Sequence, residues 1–191
     1  MKKLLKDQNE WLDELPAMKQ RSYCYMVLDT QDLTEYDRKR LELSVNILGV
    51  CQTLATSNAM LSAMGIKKEF DFCVLYETMN AVMNSKSFTD EQLKRHHDFL
   101  KEYDGIQKAL ELINLEVGDI WIDPDVDLLL LGFNFDEMQK IYNWSSDKIG
   151  IDTYYDIQED YKKGKISFNE FISQARSILN NILSEPIKTK Q

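Results

Sequence analysis

The stretch TEYDRKRLELSVNILGVCQTLATSNAMLSAMG, residues 34–65, decides the fold, because it is a long helical pattern without proline. Thr34 is typical of a residue that caps the start of a helix, and Gly65 of one that ends a helix in a left-handed conformation. The apolar residues form two stripes: Leu41, Val45, Leu48, Ala55 and Ala59 make one, and Ile47, Val50, Cys51, Leu54 and Leu61 make the other. Because both stripes need cover, we predict a long central helix over about 35–64 in a mainly α helical bundle.

Three further helix starts have the pattern of a capping box, in which a capping residue and the residue three positions later bind each other's backbone amides. The boxes are Thr89 to Gln92, Asn134 to Glu137 and Ser167 to Glu170, and apolar residues flank each of them. These boxes, with helical spacing of the apolar residues that follow, predict helices over 90–114, 135–143 and 168–183. A helix over 153–163 would join the last of these through Gly164 in a C-terminal helical hairpin.

The remaining segments give weaker signals. Helical spacing predicts helices over 2–15 and 67–84, whereas residues 17–33 fit either a strand or a helix. Alternating apolar residues ahead of an Asp-Pro step predict a short extended segment near 117–122, followed by a turn. The sequence therefore predicts very little strand.

The chain of 191 residues is long enough to bury one sizeable core. We predict a helical bundle body over 1–115 and, over 116–191, an acidic segment with C-terminal helices packed on that body. A single domain overall is the alternative.

Negative charge is concentrated in one window of the chain. Residues 116–160 hold twelve acidic side chains against two basic ones, Lys140 and Lys148, in a protein of net charge −9. A hydrophobic content of 43% is too high for a disordered chain, and an acidic protein does not bind nucleic acid over a broad surface. Crowded carboxylates attract partners of opposite potential, so a basic partner is favoured over direct nucleic-acid binding.

Cysteine usage and hydropathy indicate a cytoplasmic protein. Cys24, Cys51 and Cys73 are odd in number and widely spaced, which is unlike a disulfide framework or a zinc site. The first residues carry charge where a secretion signal needs an apolar stretch. No apolar run approaches the roughly 20 residues of a membrane span, so we expect no membrane association.

Two segments partly match calcium-binding loops. Counting from Asp160, the third position is Lys162, where a calcium ion needs an oxygen ligand. The carboxylates of Asp123, Asp125 and Asp127 alternate correctly, but Leu128 stands in the place of the required glycine. We therefore predict a solvated acidic turn at 123–127 and no metal.

The sequence also lacks a motif for catalysis. His96 and His97 are the two histidines, and adjacent helical positions point about 100° apart, so they are poorly placed to hold one metal ion together. We predict that one of them is packed and the other exposed. The seven glycines form no phosphate-binding loop, and no local pattern marks a nucleophile. We expect no catalytic residue, no cofactor and no enzymatic activity.

The predicted binding surface belongs to the acidic window. On the helix over 153–163, Tyr154, Ile157 and Tyr161 line one face and a carboxylate ridge lines the other. Two tryptophans would serve as anchors, since aromatic residues often dominate interface energy, although burial in the core is the alternative for each. The predicted partner-binding residues are Trp121, Asp123, Asp125, Asp127, Asp136, Glu137, Trp144, Asp156, Glu159 and Asp160.

Three functions are compatible with these features. The preferred one is a non-enzymatic acidic binding protein, an inhibitor or immunity-type antagonist that masks a basic surface of a nucleic-acid-processing protein. The second is a self-associating helical scaffold, a homodimer through the helix over 35–64. The third is an enzyme that uses a carboxylate-bound metal. The sequence identifies neither the partner nor the oligomeric state.

Overall fold

A computed structural model describes residues 28–29, 32–67, 70, 72–112, 122–143 and 151–185 of the chain. Across these residues the protein is mainly helical and has no strand, which confirms the predicted fold class. Seven helices have their bounds there: α1 (Glu35–Ala63), α2 (Cys73–Met83), α3 (Asp90–Glu111), α4 (Pro124–Leu130), α5 (Phe135–Asn143), α6 (Ile151–Lys162) and α7 (Phe168–Ser184). None of these helices is both long and apolar enough to cross a membrane.

Helix α1 begins and ends where the sequence predicts. The Thr34 hydroxyl accepts a hydrogen bond from the Asp37 backbone N–H at 3.1 Å, which caps the 29-residue helix. At the other end Gly65 has φ 73°, and the Ile66 N–H donates to the Leu61 carbonyl at 3.0 Å. The left-handed glycine lets the chain turn back and satisfy a carbonyl of the last turn.

All three predicted capping boxes form. In each, the capping side chain accepts from the amide three positions later, and the side chain at that position accepts from the capping residue's own amide. The pairs are Thr89 with Gln92 (3.3 and 2.9 Å), Asn134 with Glu137 (3.0 and 2.9 Å) and Ser167 with Glu170 (3.3 and 2.8 Å). These bonds fix the starts of α3, α5 and α7.

Helix α4 lies where the sequence predicts a turn, so that prediction is wrong. Pro124 is the first residue of this helix, a position where its missing N–H does no harm and its fixed φ is already helical. The chain then leaves α4 through Gly132, which has φ 104°. The Asp-Pro step thus marks a helix start rather than a solvated turn.

Four predictions concern residues outside the described part of the chain. They are the helix over 2–15, the conformation of most of residues 17–33, most of the extended segment near 117–122 and the placement of Trp121 and Trp144. These stay predictions.

The chain divides into two compact units, one made of Met1–Asn84 with Tyr103–Asp123 and the other of Ser85–Glu102 with Pro124–Gln191. Helix α3 therefore begins in the second unit and ends in the first. The predicted division between 1–115 and 116–191 stays a prediction about domains, and these units follow a different boundary.

In the first unit α1 packs against α2. Arg40 Nη1 donates to the Met83 carbonyl at 2.7 Å, and Asn58 exchanges two hydrogen bonds with the Phe70 backbone at 2.9 and 3.3 Å. The core of this unit includes Ile47, Leu54, Leu75 and Val82, all with no exposed surface. Both stripes of α1 are buried, apart from the exposed Ala55 and Ala59.

In the second unit α6 and α7 form the predicted hairpin, with Gly164 at φ 71° in the turn between them. The first residues of α3 and helices α4 and α5 complete this unit. The Phe88 N–H donates to the Leu130 carbonyl at 2.8 Å and ties the start of α3 to the end of α4. Its fully buried side chains include Leu128, Leu130, Ile141, Tyr154, Phe171 and Leu179.

Candidate functional site

Helix α6 has the two faces that the sequence predicts. Tyr154, Ile157 and Tyr161 are buried, and they recur at helical spacing on the face toward the unit's core. Asp152, Asp156 and Glu159 are exposed, at intervals of four and three residues. We call these three residues the α6 acidic face. Burial of the aromatic face holds the carboxylates toward solvent.

Lysines partly compensate the charge at the C-terminal end of this helix. Glu159 lies 3.4 Å from Lys162 Nζ and 3.5 Å from Lys163 Nζ, and Asp160 lies 2.6 Å from Lys165 Nζ. No ion pair involves Asp152 or Asp156 among the residues that the structure describes. Among the described residues, the N-terminal half of α6 is therefore the part without a compensating charge. It includes Asp152, which is not one of the predicted binding residues.

The other predicted surface residues differ in their surroundings. Asp136 is exposed in the first turn of α5, whereas Glu137 is engaged in the capping box with Asn134. Asp123 is half-buried, and its backbone N–H donates to Asn46 Oδ1 at 3.0 Å within the first unit. The ten predicted residues therefore do not all belong to one unit.

The acidic window is also divided between the units. The first unit has 17 acidic and 11 basic side chains, a net charge of −6, and the second has 15 and 12, a net charge of −3. Residues 116–123 of the window belong to the first unit. Because the net charge of the second unit is modest, its suitability for a basic partner depends on where its exposed carboxylates lie.

Asp125 and Asp127 are buried, with 9% and 8% of their surface exposed, so they do not form the solvated turn that the sequence predicts. His96 Nε2 lies 3.2 Å from Asp127 Oδ1. Tyr154 Oη and Gln158 Nε2 donate to Asp127 Oδ2 at 3.2 and 2.6 Å. One carboxylate thereby joins α3, α4 and α6, and both its oxygens are occupied within the unit.

The partners of Asp127 keep it ionised. Although burial raises the pKa of this carboxyl, the hydrogen bond with His96, the charges of both histidines and the hydrogen bond with Gln158 hold the pKa well below its ordinary value. Burial, followed by the Asp127 charge, raises the pKa of Tyr154 far above its ordinary value, so the phenol stays a donor. Asp127 is therefore a buried, ionised carboxylate whose oxygens both have hydrogen-bonding partners.

Asp125 also has a tyrosine partner. A hydrogen bond joins it to Tyr142 of α5, and burial together with this bond raises the pKa of the Tyr142 phenol. Each buried carboxylate of α4 thus faces a phenol from a following helix. The sequence did not predict that these aspartates are buried partners of tyrosines. The same alternating pattern is expected whether the aspartates point into the core or toward solvent.

Both histidines are buried, with 0% of His96 and 2% of His97 exposed, so the prediction of one exposed histidine is wrong. The His97 ring meets Phe171 edge-on with centroids 4.9 Å apart. Its Nδ1 atom has no hydrogen-bond partner in the described residues. Burial lowers the pKa of His97 to about 4, outweighing the favourable charge of Asp127.

A second polar contact lies at the edge of this cluster. Tyr161 donates a hydrogen bond to Asp98, which also pairs with Lys94, and Lys101 Nζ lies 5.3 Å from the centre of the Tyr161 ring. Burial and the Asp98 contact raise the pKa of Tyr161. These groups join α3 to α6 near the surface.

The cluster links helices α3, α4 and α6, and His96, His97, Asp127 and Tyr154 are all shielded from solvent. Within the described ranges, no three histidine, cysteine, aspartate or glutamate side chains are grouped to hold a metal ion. The exposed α6 acidic face remains the candidate for binding.

Comparisons of this chain with protein-family models, with curated proteins and with solved structures give no match. The α6 acidic face and the buried cluster are therefore the two features that bear on function.

Proposed function

We propose that this protein is a non-enzymatic binding protein whose α6 acidic face contacts a basic partner. In the preferred form of this proposal it is an inhibitor or immunity-type antagonist that masks a basic surface of a nucleic-acid-processing protein. The observation that carries the proposal is the exposure of Asp152, Asp156 and Glu159 along one face of a helix whose opposite face is buried.

The spacing of these carboxylates suits a basic groove. Steps of four and three residues place successive charges about 6 and 4.5 Å apart along the helix axis. Such a row produces a negative potential that steers a positively charged partner toward it and raises the association rate. Packing of Tyr154, Ile157 and Tyr161 holds the row in a fixed orientation, so little ordering is needed on binding.

The burial of Asp125 and Asp127 narrows the proposed surface. Their oxygens bind tyrosines and His96 inside the unit, so the proposal does not include them as contacts. Asp136, Asp156 and Glu159 are retained from the predicted surface, and Asp152 is added because it is exposed on the same face of α6.

The homodimer alternative has less support. It depends on a second apolar stripe of α1 that the chain does not cover, yet Ile47, Val50, Cys51, Leu54 and Leu61 are all buried within a single chain. Of the ten stripe residues, Ala55 and Ala59 are the exposed ones. They present little apolar area to a second copy.

The experiment compares two charge variants with the same change in net charge. The test variant combines Asp152→Asn, Asp156→Asn and Glu159→Gln. The control combines Glu42→Gln, Glu91→Gln and Glu111→Gln, which are exposed and lie on other helices. Tagged wild-type and variant proteins are used to isolate partners from the native host at low and moderate salt, and recovered proteins are identified by mass spectrometry.

The proposal predicts that wild type and control recover the same basic protein at low salt and lose it as salt rises, because screening weakens charge attraction. The test variant should associate with that protein at least about tenfold more slowly and with a flatter salt dependence. Equal association rates and salt slopes for the test variant and wild type would rule out the α6 acidic face as the contact.

A further inference from the structure

The core of the second unit holds two adjacent imidazoles and one carboxylate. The rings of His96 and His97 meet edge-on with centroids 5.4 Å apart, and Asp127 contacts His96 directly. All three side chains are at least nine-tenths buried. Helices α3, α4, α6 and α7 meet around them, because Tyr161 and Phe171 also contact the His97 ring.

The charge that this cluster tolerates follows from its composition. A single imidazolium beside Asp127 makes a neutral pair, which a buried site accepts when its hydrogen bonds are satisfied. A second proton leaves one unbalanced positive charge in a site lined by aromatic rings. That charge has a further penalty at His97, since the Nδ1 position has no acceptor in the described residues.

The groups that face His97 determine the sign of the pH effect. They are His96 and Asp98 from α3, Asp127 from α4, and Tyr161 and Lys162 from α6, while α7 contributes the Phe171 ring. Asp127 and Asp98 favour a proton on His97, but burial, His96 and Lys162 oppose it, and burial is the largest effect. The pKa of folded His97 is therefore lowered from 6.5 to about 4.

A histidine with a lowered pKa stabilises the fold at high pH and loses that contribution on acidification. Its contribution is fully present above pH 6.5 and falls as the pH drops from 6.5 toward 4, because the unfolded chain then binds a proton that the folded unit refuses. Asp127, whose pKa is lowered below the ordinary value of 3.8, loses its contribution only at still lower pH. The two effects are thus separated in pH.

We propose that the His96, His97 and Asp127 cluster is an acid-sensitive switch that opens the second unit while the first unit stays folded. The described helices of the first unit contain no histidine, so they lack this response. When the unit opens, the buried face of α6 no longer packs against the core of the unit. If the proposed function is right, acid also dismantles the binding face, but the opening itself does not depend on a partner.

The test is hydrogen exchange, read by mass spectrometry on the full chain near pH 7, 5.5 and 4.5 and corrected for intrinsic exchange rates. Linkage allows the opening constant to rise up to about tenfold per pH unit for one such group. Between pH 7 and 4.5 we expect amides of α4, α6 and α7 to lose protection by tenfold to 100-fold, while α1 and α2 keep theirs. Equal loss in both units, or none in either, overturns the proposal.

A pair of variants separates titration from packing. His97→Phe removes the ionisable ring and should reduce the acid-induced loss of protection in α6 and α7 to less than about threefold. Phe171→Leu loosens the same contact but keeps both histidines, so it should weaken protection at every pH and retain the dependence on pH. An unchanged acid response in His97→Phe overturns the proposal.

A measurement on the unaltered protein covers the case in which His97→Phe fails to fold. The imidazole signals of the wild type are followed by nuclear magnetic resonance as the pH is lowered. We expect the His97 ring of the folded protein to remain neutral until the second unit opens. Protonation of His97 near pH 6.5 in a unit that stays protected overturns the proposal.

Discussion

Replacement of Asp127 by alanine separates a structural carboxylate from a partner-binding one. In the second unit this carboxylate accepts hydrogen bonds from Tyr154 and Gln158 and contacts His96. If Asp127 were part of an exposed binding surface, its loss would leave stability unchanged. The buried network instead predicts a large loss of stability at pH 7.

The size of this loss follows from the partners left behind. His96 and Tyr154 have no exposed surface, and each buried polar group without a partner costs about 1–3 kcal/mol. Gln158 is half-buried and can turn toward water, so its contribution is smaller. With these two groups left without a partner, Asp127→Ala should destabilise the protein by about 2–6 kcal/mol. Asp127→Asn keeps one acceptor oxygen and should fall between alanine and wild type.

The assay is urea unfolding followed by circular dichroism, with the midpoint and slope compared among variants. Asp156→Ala is the matched control, since it removes an exposed carboxylate in the middle of α6 and should change stability by less than about 0.5 kcal/mol. The reasoning fails if Asp127→Ala unfolds at the same urea concentration as Asp156→Ala.

Three further predictions concern local features. Ser167→Ala removes the cap of α7 and should destabilise the protein by about 1 kcal/mol in thermal unfolding. Ser173→Ala, on the exposed side of α7, is the control and should leave the melting temperature unchanged. Equal melting temperatures for the two variants would place the helix start elsewhere. Gly132→Ala should destabilise the protein by about 1–2 kcal/mol, because Gly132 has φ 104° and an alanine there is strained. Gly105→Ala, where the added methyl group meets open space within α3, should be neutral or stabilising in the same assay. A greater loss of stability for Gly105→Ala than for Gly132→Ala would contradict the strain at Gly132. Burial raises the pKa of the Cys51 thiol to about 12. Iodoacetamide at about pH 8 should therefore modify the exposed Cys73 well before Cys51, as measured by peptide mass spectrometry. Modification of both cysteines at the same rate would contradict the burial of Cys51.

Local sequence determined the starts of four helices, because the groups that fix a helix start are within three residues of each other. Thr34 with Asp37, and the boxes at Thr89, Asn134 and Ser167, satisfy amides that no distant residue needs to reach. The helical spacing of Tyr154, Ile157 and Tyr161 likewise determined which face of α6 is buried. These features were predictable from neighbouring residues alone.

Tertiary structure decided which polar residues turn inward. Asp127 meets His96 from 31 residues away and Tyr154 from 27 residues away, so nothing next to it in the sequence marks it as buried. The Asp-Pro step and the alternating aspartates fit a turn and a helix start equally well. The helix is decided by the burial of Leu128 and Leu130 in the core of the folded unit. A buried carboxylate is stable only where distant helices supply its donors, and that arrangement exists only in the folded chain.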